Sequence, residues 1–465
     1  MKLRENQRRT VRECGVDWHC HEVTISQPGL VDGYEFNGYG IIKSHESGGL
    51  YLDFICLKTN KRVDFGIPIP KDAFDKNQRV MMKATTIGGV QVSSNDLTIK
   101  IDFQQMLEKD PKFYRLPLKS VEICDETDLS VDGNSYLHME FSEKIRVPFN
   151  KSNTIESSLG SKSFSWNQAV ISCEDCEVNV VQHKNFTEVY AKAKNTDLDV
   201  LREAIVFYVG FTSGLFIQPY FEFFKDSSSS KSKINSVDIK RSRKSIPQPI
   251  PNLAHDQDRK SMDHFHYELF QNILKMSSRR ADHFESLYSQ WSRIWHSFMS
   301  PEISVSMLTL SVAIEGVLND IFIPVIDELL KDERFENEKS RLKALISSID
   351  DVSKDHVDSL HKYIDKWGNT HAEKALKYLV QREIISDLQQ KCWSKLRNSS
   401  AHPKLLKQDD ARMRKNIERT VVCLGLFYRL TLNALSYRGA QYVYEAPKDE
   451  RVVVYEHIDL LNERA

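Results

Sequence analysis

Met413-Arg-Lys-Asn-Ile417-Glu-Arg-Thr-Val421-Val-Cys-Leu424-Gly-Leu-Phe-Tyr428-Arg-Leu-Thr431-Leu-Asn-Ala-Leu435 returns to one helical face every three to four residues. That period predicts a long helix over 408–437 with a continuous packing stripe. Working back from it, the same period predicts helices over 262–276, 281–298, 305–330 and 371–396. Residues 305–330 are apolar almost all round, so that helix is expected at the buried centre of an antiparallel bundle.

Further upstream the period changes to two. Leu97-Thr-Ile-Lys-Ile-Asp-Phe103 alternates without a break, as a strand with one wet face does. Residues 50–57, 63–69, 143–149, 165–172 and 177–182 read as further strands. Six of the 18 glycines fall between Gly29 and Gly49, which suits tight turns between short strands. The expectation is an all-β sandwich or barrel-like domain of roughly 190 residues, closed by a helix over 197–211 with Thr196 as its cap. Asp226-Ser-Ser-Ser-Ser-Lys-Ser-Lys, Lys240-Arg-Ser-Arg-Lys and Pro247-Gln-Pro-Ile-Pro251 have almost no apolar content. They read as a basic, Ser/Pro-rich linker.

The fold class is therefore α+β and multidomain. A β-rich sensing or regulatory domain is expected over 1–225, a linker over 226–260, a helical bundle over 261–440 and a tail over 441–465. Composition limits what such a chain does. In 465 residues, 64 Lys and Arg face 65 Asp and Glu, for a net charge of −1. That balance excludes a basic nucleic-acid coat but not one small phosphate-reading cleft. Eight cysteines have no framework spacing, and the longest apolar stretch seen, 204–217, is short of a membrane span. The expectation is a soluble cytoplasmic protein with free thiols and no membrane contact.

The chemistry concentrates in Lys395-Leu-Arg397-Asn398-Ser-Ser-Ala-His402-Pro403, between the last two expected helices. Pro403 disfavours helical dihedrals at His402, which places the imidazole in a short connection just after the helix that Arg397 ends. A guanidinium is a permanently charged fork matched to phosphate oxygens. An imidazole titrates near neutrality and moves protons to or from a ribose 2′-hydroxyl. Asn398 can hydrogen-bond a phosphate oxygen or orient the imidazole, and Lys395 and Lys404 add phosphate-binding charge. Such a set would cleave RNA without metal or cofactor, leaving a 2′,3′-cyclic phosphate. The competing reading is that Arg397 and His402 merely cap helices. Glu315 interrupts the most apolar helix, where a carboxylate needs a partner. It either orients Arg397, His402 or Lys395, or forms a salt bridge elsewhere in the bundle.

Arg397-Asn398 with His402 five residues after the arginine, between two helices of a C-terminal bundle, resembles the Arg-x(4–6)-His signature of HEPN-superfamily ribonucleases. In that family a polar residue often follows the arginine, and Asn398 matches. The resemblance, over about residues 262–440, implies a bundle that forms a homodimer and joins two Arg–His pairs in one metal-independent RNase cleft. A β-rich domain ahead of such a bundle also resembles ApeA-type anti-phage proteins in architecture. This implies a defence (abortive infection) or toxin effector whose N-terminal domain answers a phage-derived or other protein trigger. The alternatives are a non-catalytic dimeric scaffold with a ligand-binding β domain, and a toxin held by a separate antitoxin.

Other signals are weaker. Cys173-Glu-Asp-Cys176 is a lone CxxC that only Cys14, His19, Cys20 or His21 would complete as a zinc set, so free thiols are expected. His264, His266 and His283 read as partly exposed helix residues, and Trp291 and Trp295 as core.

Overall fold

In the computed structural model the described residues are 3, 5–31, 33–60, 75, 78–95, 97, 112–125, 133–145, 147–156, 162–227, 229–239, 245–251, 263–331, 333–349, 353–401, 410–445, 452–454, 458 and 460. The chain divides into two compact units, residues 1–210 with 215–244 and residues 211–214 with 245–465.

The first unit is one antiparallel sheet. A short helix α1 (Glu5–Arg12) leads into β1 (Asp17–Ser26), β2 (Glu35–Ser44), β3 (Leu50–Thr59), β4 (Met81–Thr86), β5 (Gln91–Ser94) and β6 (Lys112–Leu118). There follow β7 (Ser120–Asp125), β8 (Ser135–Phe141), β9 (Lys151–Glu156), β10 (Lys162–Ser172), β11 (Cys176–Gln182) and β12 (Thr187–Ala193). Helix α2 (Leu198–Ser213) precedes β13 (Phe221–Lys225) and β14 (Ser230–Asn235). The strand order is β6-β3-β2-β1-β4-β5-β7-β14-β13-β8-β12-β11-β10-β9. The β-rich expectation holds as a large antiparallel region: the strands form one hydrogen-bonded sheet, with no ladder joining β6 to β9 among the described residues. Among the described residues β5 and β7 share the single pair Ser93 and Glu122.

Alternation does set the core. In β3, Leu50, Leu52, Phe54 and Cys56 are buried while Tyr51, Asp53 and Ile55 are not. Residues 165–172 and 177–182 are strand, within β10 and β11. Four expectations change. Residues 143–145 and 147–149 are irregular rather than a strand. Gly38 and Gly40 lie inside β2, not in turns; a Cβ on Gly38 would sit 1.9 Å from the Ile55 carbonyl oxygen, beside the irregular register at Asn37. The close backbone approach, not a turn, requires that glycine. The linker expected over 226–260 begins too early, because Ser230–Asn235 pairs with both β13 and β7. Its serines and lysines misled because Ser232 and Ile234 point into the core while Lys231 and Lys233 stay partly exposed. Residues 98–103 and 63–69 lie outside the described residues. The α2 cap is Asp197, whose Oδ1 accepts from the Asp199 and Val200 backbone N–H groups at 2.7 and 3.3 Å; Thr196 is not the cap.

The second unit is helical: α3 (Asp263–Arg279), α4 (Ala281–Phe298), α5 (Ile303–Val317), α6 (Ile323–Leu329), α7 (Glu333–Ser347), α8 (Lys354–Asp365), α9 (Ala372–Gln381), α10 (Asp387–Ala401) and α11 (Asp410–Ala434). Its centre holds Trp291, Leu310, Ile314, Leu424 and Phe427, all at most 1% exposed. The expected helix 305–330 is α5 and α6 joined by a π turn, Leu318–Phe322. Pro324 explains the wide turn, because its ring cannot donate a backbone hydrogen bond and crowds the carbonyl four residues back. This composite, Ile303–Leu329, is long and apolar enough to cross a membrane by length and composition, and half of its most apolar window is buried in the protein. The 204–217 stretch is therefore not the longest apolar one.

The expected helix 371–396 is broken into α9 and α10. Ile384 N–H donates to Leu379 O and Glu383 N–H to Val380 O, both at 3.0 Å, with Glu383 at φ +56°. This is a Schellman stop in which glutamate holds the position usually given to glycine. The expected tail also contributes structure, since β15 (Ala440–Tyr442) pairs with β16 (Val452–Val454). His266 is buried, not partly exposed; burial lowers its pKa to about 4, and Nε2 lies 3.3 Å from the Pro251 carbonyl.

The first unit also buries charge. Arg8 Nε lies 2.5 Å from Glu140 Oε1, with Glu140 fully buried. Burial alone would raise Glu188, but hydrogen bonds from His138, Tyr190 and His183 outweigh it and hold its carboxyl at about 2. Arg8→Met would take from the buried Glu140 carboxylate its nearest cation and is expected to cost about 3–5 kcal/mol in urea unfolding. Because Glu188 is depressed in the folded state, its stabilisation is full above the ordinary value of 4.5 and is lost as pH falls toward 2. The urea midpoint of Glu188→Gln should accordingly fall less than that of the parent between those pH values.

Candidate active site

Arg397 lies on α10, which continues past it to Ala401 rather than ending there. Its Nε and Nη2 donate to Glu315 Oε2 and Oε1 at 2.9 and 3.0 Å, a bidentate fork. The guanidinium lies 5.8 Å from the centroid of Trp393, one helical turn earlier. Trp393 is 2% exposed and its Nε1–H donates to the Ser311 carbonyl oxygen at 3.1 Å. Residues 311 and 315 are successive turns of α5, and 393 and 397 are successive turns of α10, so two rungs join the helices. One rung is buried and neutral, the other charged and wetter, with side chains 45% and 29% exposed.

Its hydrogen bonds to the Glu315 carboxylate raise the Arg397 pKa further, so the guanidinium is a fixed cation. Two of its five N–H donors face the carboxylate. The others leave a planar edge to meet an anion, with Glu315 setting the plane of the fork. Asn398 and Lys395 are exposed on the same helix. His402 and Lys404 lie outside the described residues. The structure thus brings Arg397 and Glu315 together; Asn398 follows on the same helix, and Lys395, two residues before Arg397, points to a different face of it.

The face around the pair is apolar. Val305, Leu308 and Val312 are 43%, 46% and 50% exposed. Their spacing continues through Glu315 as one stripe along α5. The expectation of a helix buried all round is corrected: it is apolar all round but buried on one side.

No local pattern marks the cluster of His138, Glu140 and Glu188, which lie on β8 and β12 and become neighbours through the β8–β12 pairing. Their ligand atoms lie within 4.8 Å of one another. His138 Nε2 is 3.7 Å from Glu140 Oε1 and 3.5 Å from Glu188 Oε1. Arg8 already contacts the Glu140 oxygen that a metal would need, and Arg12 Nη1 is 4.0 Å from the other. Two guanidiniums supply the positive charge, so the cluster fits a buried ion network rather than a divalent cation. Among the described residues it is the one group with converging ligand atoms, and no cysteine belongs to it. Two cavities, of about 360 and 570 Å³, are lined by residues of the first unit, the smaller around Trp18, Val92 and Ile123.

No family model matches this chain, and neither a curated protein nor a solved structure does.

Glu315→Gln is expected to change stability by less than about 1 kcal/mol, since both partners of its ion pair are partly exposed. Trp393→Ala, on the buried rung, should cost about 3–5 kcal/mol. Thermal denaturation of the two variants distinguishes the rungs.

Proposed function

We propose that the protein is a metal-independent RNA endonuclease of the HEPN type, acting as a homodimeric defence or toxin effector. The observation that carries this reading is the bidentate Glu315–Arg397 pair on an exposed helical face. A carboxylate that holds one edge of a guanidinium fixes the other for a phosphate. Arg397 holds the scissile phosphate and stabilises the charge that builds on its oxygens. His402, five residues on, takes the 2′-hydroxyl proton or returns one to the leaving 5′-oxygen. Asn398 hydrogen-bonds a phosphate oxygen, and Lys395 and Lys404 bind neighbouring phosphates. The 2′-oxygen attacks phosphorus, the 5′-oxygen leaves, and the product ends in a 2′,3′-cyclic phosphate. DNA lacks the nucleophile.

The dimer has its own support in the stripe Val305, Leu308 and Val312, which a second copy would cover. Because the stripe runs into Glu315, that contact sets two Arg397 side chains near one another. The N-terminal unit then serves as the sensing part.

A second reading is a non-catalytic dimeric scaffold, favoured by the fact that Glu315 already satisfies Arg397. Purified protein incubated with total RNA and EDTA separates the two. Chelator-resistant cleavage with cyclic phosphate ends is expected, lowered on the order of 10²–10⁴-fold by Arg397→Ala or His402→Ala. Undiminished cleavage in both variants would falsify Arg397 and His402 as the catalytic pair, and intact RNA throughout would leave the scaffold. Glu315→Gln should keep the pH profile and lower the rate by a smaller factor. Val312→Asp should yield a monomer by light scattering and lose cleavage with it.

A further inference from the structure

The CxxC that completes no metal set has a definite place in the sheet. Ser172 on β10 pairs with Glu177 on β11. Cys173 and Cys176 come next, one step beyond the last ladder pair, and flank Glu174 and Asp175. The Cys173 N–H donates to the Cys176 carbonyl oxygen at 2.8 Å. A hydrogen-bonded antiparallel pair holds its Cα atoms about 5.5 Å apart. That is the middle of the range, about 4.4–6.8 Å, that a disulfide spans without moving the backbone.

We propose that Cys173 and Cys176 are a reversible redox site, oxidised by a hydroperoxide to a disulfide that staples the tip of the β10–β11 hairpin. Interaction between the neighbouring thiols raises the Cys173 pKa and lowers that of Cys176. The dithiol thus gives up its first proton more readily than an isolated thiol. Cys176 is 7% exposed while Cys173 is half-buried, which leaves the reacting sulfur sheltered and its partner reachable. Neither Glu174 nor Asp175 has a positive φ. The tip consequently lacks the turn geometry that matches strand twist, and a covalent link there restrains a connection the sequence leaves weak.

The chemistry balances with one peroxide. The Cys176 thiolate attacks a peroxide oxygen and the O–O bond breaks, releasing hydroxide and leaving a sulfenic acid. The Cys173 sulfur then attacks that sulfur, and the displaced hydroxyl leaves as water with the remaining proton. Two thiols and one hydrogen peroxide become one disulfide and two waters, and a dithiol reductant reverses the change.

The full-length protein supplies its own comparators. Cys124 is exposed, and burial pushes the Cys20 thiol up to about 11. After a hydrogen peroxide pulse, denaturation and alkylation, the 173–176 peptide should appear two hydrogens lighter and unalkylated. It should be lost to alkylation on the order of tenfold faster than Cys124. Cys173→Ser should instead leave Cys176 as a sulfenic acid that dimedone labels. Alkylation of both residues at the Cys124 rate, with no dimedone adduct in Cys173→Ser, would overturn the proposal. So would retention of one zinc per chain through desalting after loading with zinc alone, since that would make the pair a metal ligand.

Discussion

Glu315 carries a charge on the most apolar helix of the chain, and much of the second unit is arranged around that fact. Glu315 is partly exposed, so its ion pair is worth little energy, but the bidentate bond to Arg397 ties α5 to α10 at a fixed rotation. Trp393 and the Ser311 carbonyl fix the same two helices one turn away. With both rungs in place neither helix can slide or rotate without breaking a directional contact. The orientation of the Arg397 fork is thus a property of helix packing rather than of one flexible side chain.

A sequence reading reaches this arrangement only in part. The period of 413–435 and of 281–298 was legible because those helices bury one stripe, and the second appears residue for residue as α4. The anomaly of Glu315 was legible too, since a lone carboxylate in an apolar run demands a partner. Which partner it takes depends on the crossing of two helices 82 residues apart in the chain, and no local pattern encodes that. The break before α10 was missed because Glu383 adopts a left-handed conformation without the glycine that would announce it. Pro324 was visible, yet its effect was a wider turn rather than an end.

The β unit was legible in class and not in connectivity. Alternation in 50–57 fixes which residues face inward. It does not say that β8 pairs with both β12 and β13, or that β14 lies beside β7. Those pairings bring Glu140, Glu188 and His138 together and let Arg8 reach them from α1. Near-equal numbers of acidic and basic residues say nothing of this. Equal totals are compatible with surface charge alone, whereas here two carboxylates and a guanidinium are buried and hold a helix to a sheet.

The same electrostatics bear on how the proposed site would work. With side chains 45% and 29% exposed, the Arg397–Glu315 pair sits in high dielectric and is individually weak. The apolar stripe of Val305, Leu308 and Val312 leads directly to it. Covering that stripe with a second copy excludes water from the neighbourhood of the pair, which strengthens both its internal attraction and its grip on a phosphate. Desolvation of the fork is also only tolerable because Glu315 balances it. In the proposed dimer, assembly and phosphate binding would be coupled through one carboxylate: without it the buried face would carry an unbalanced cation, and without the buried face the fork would be a solvated arginine like many others.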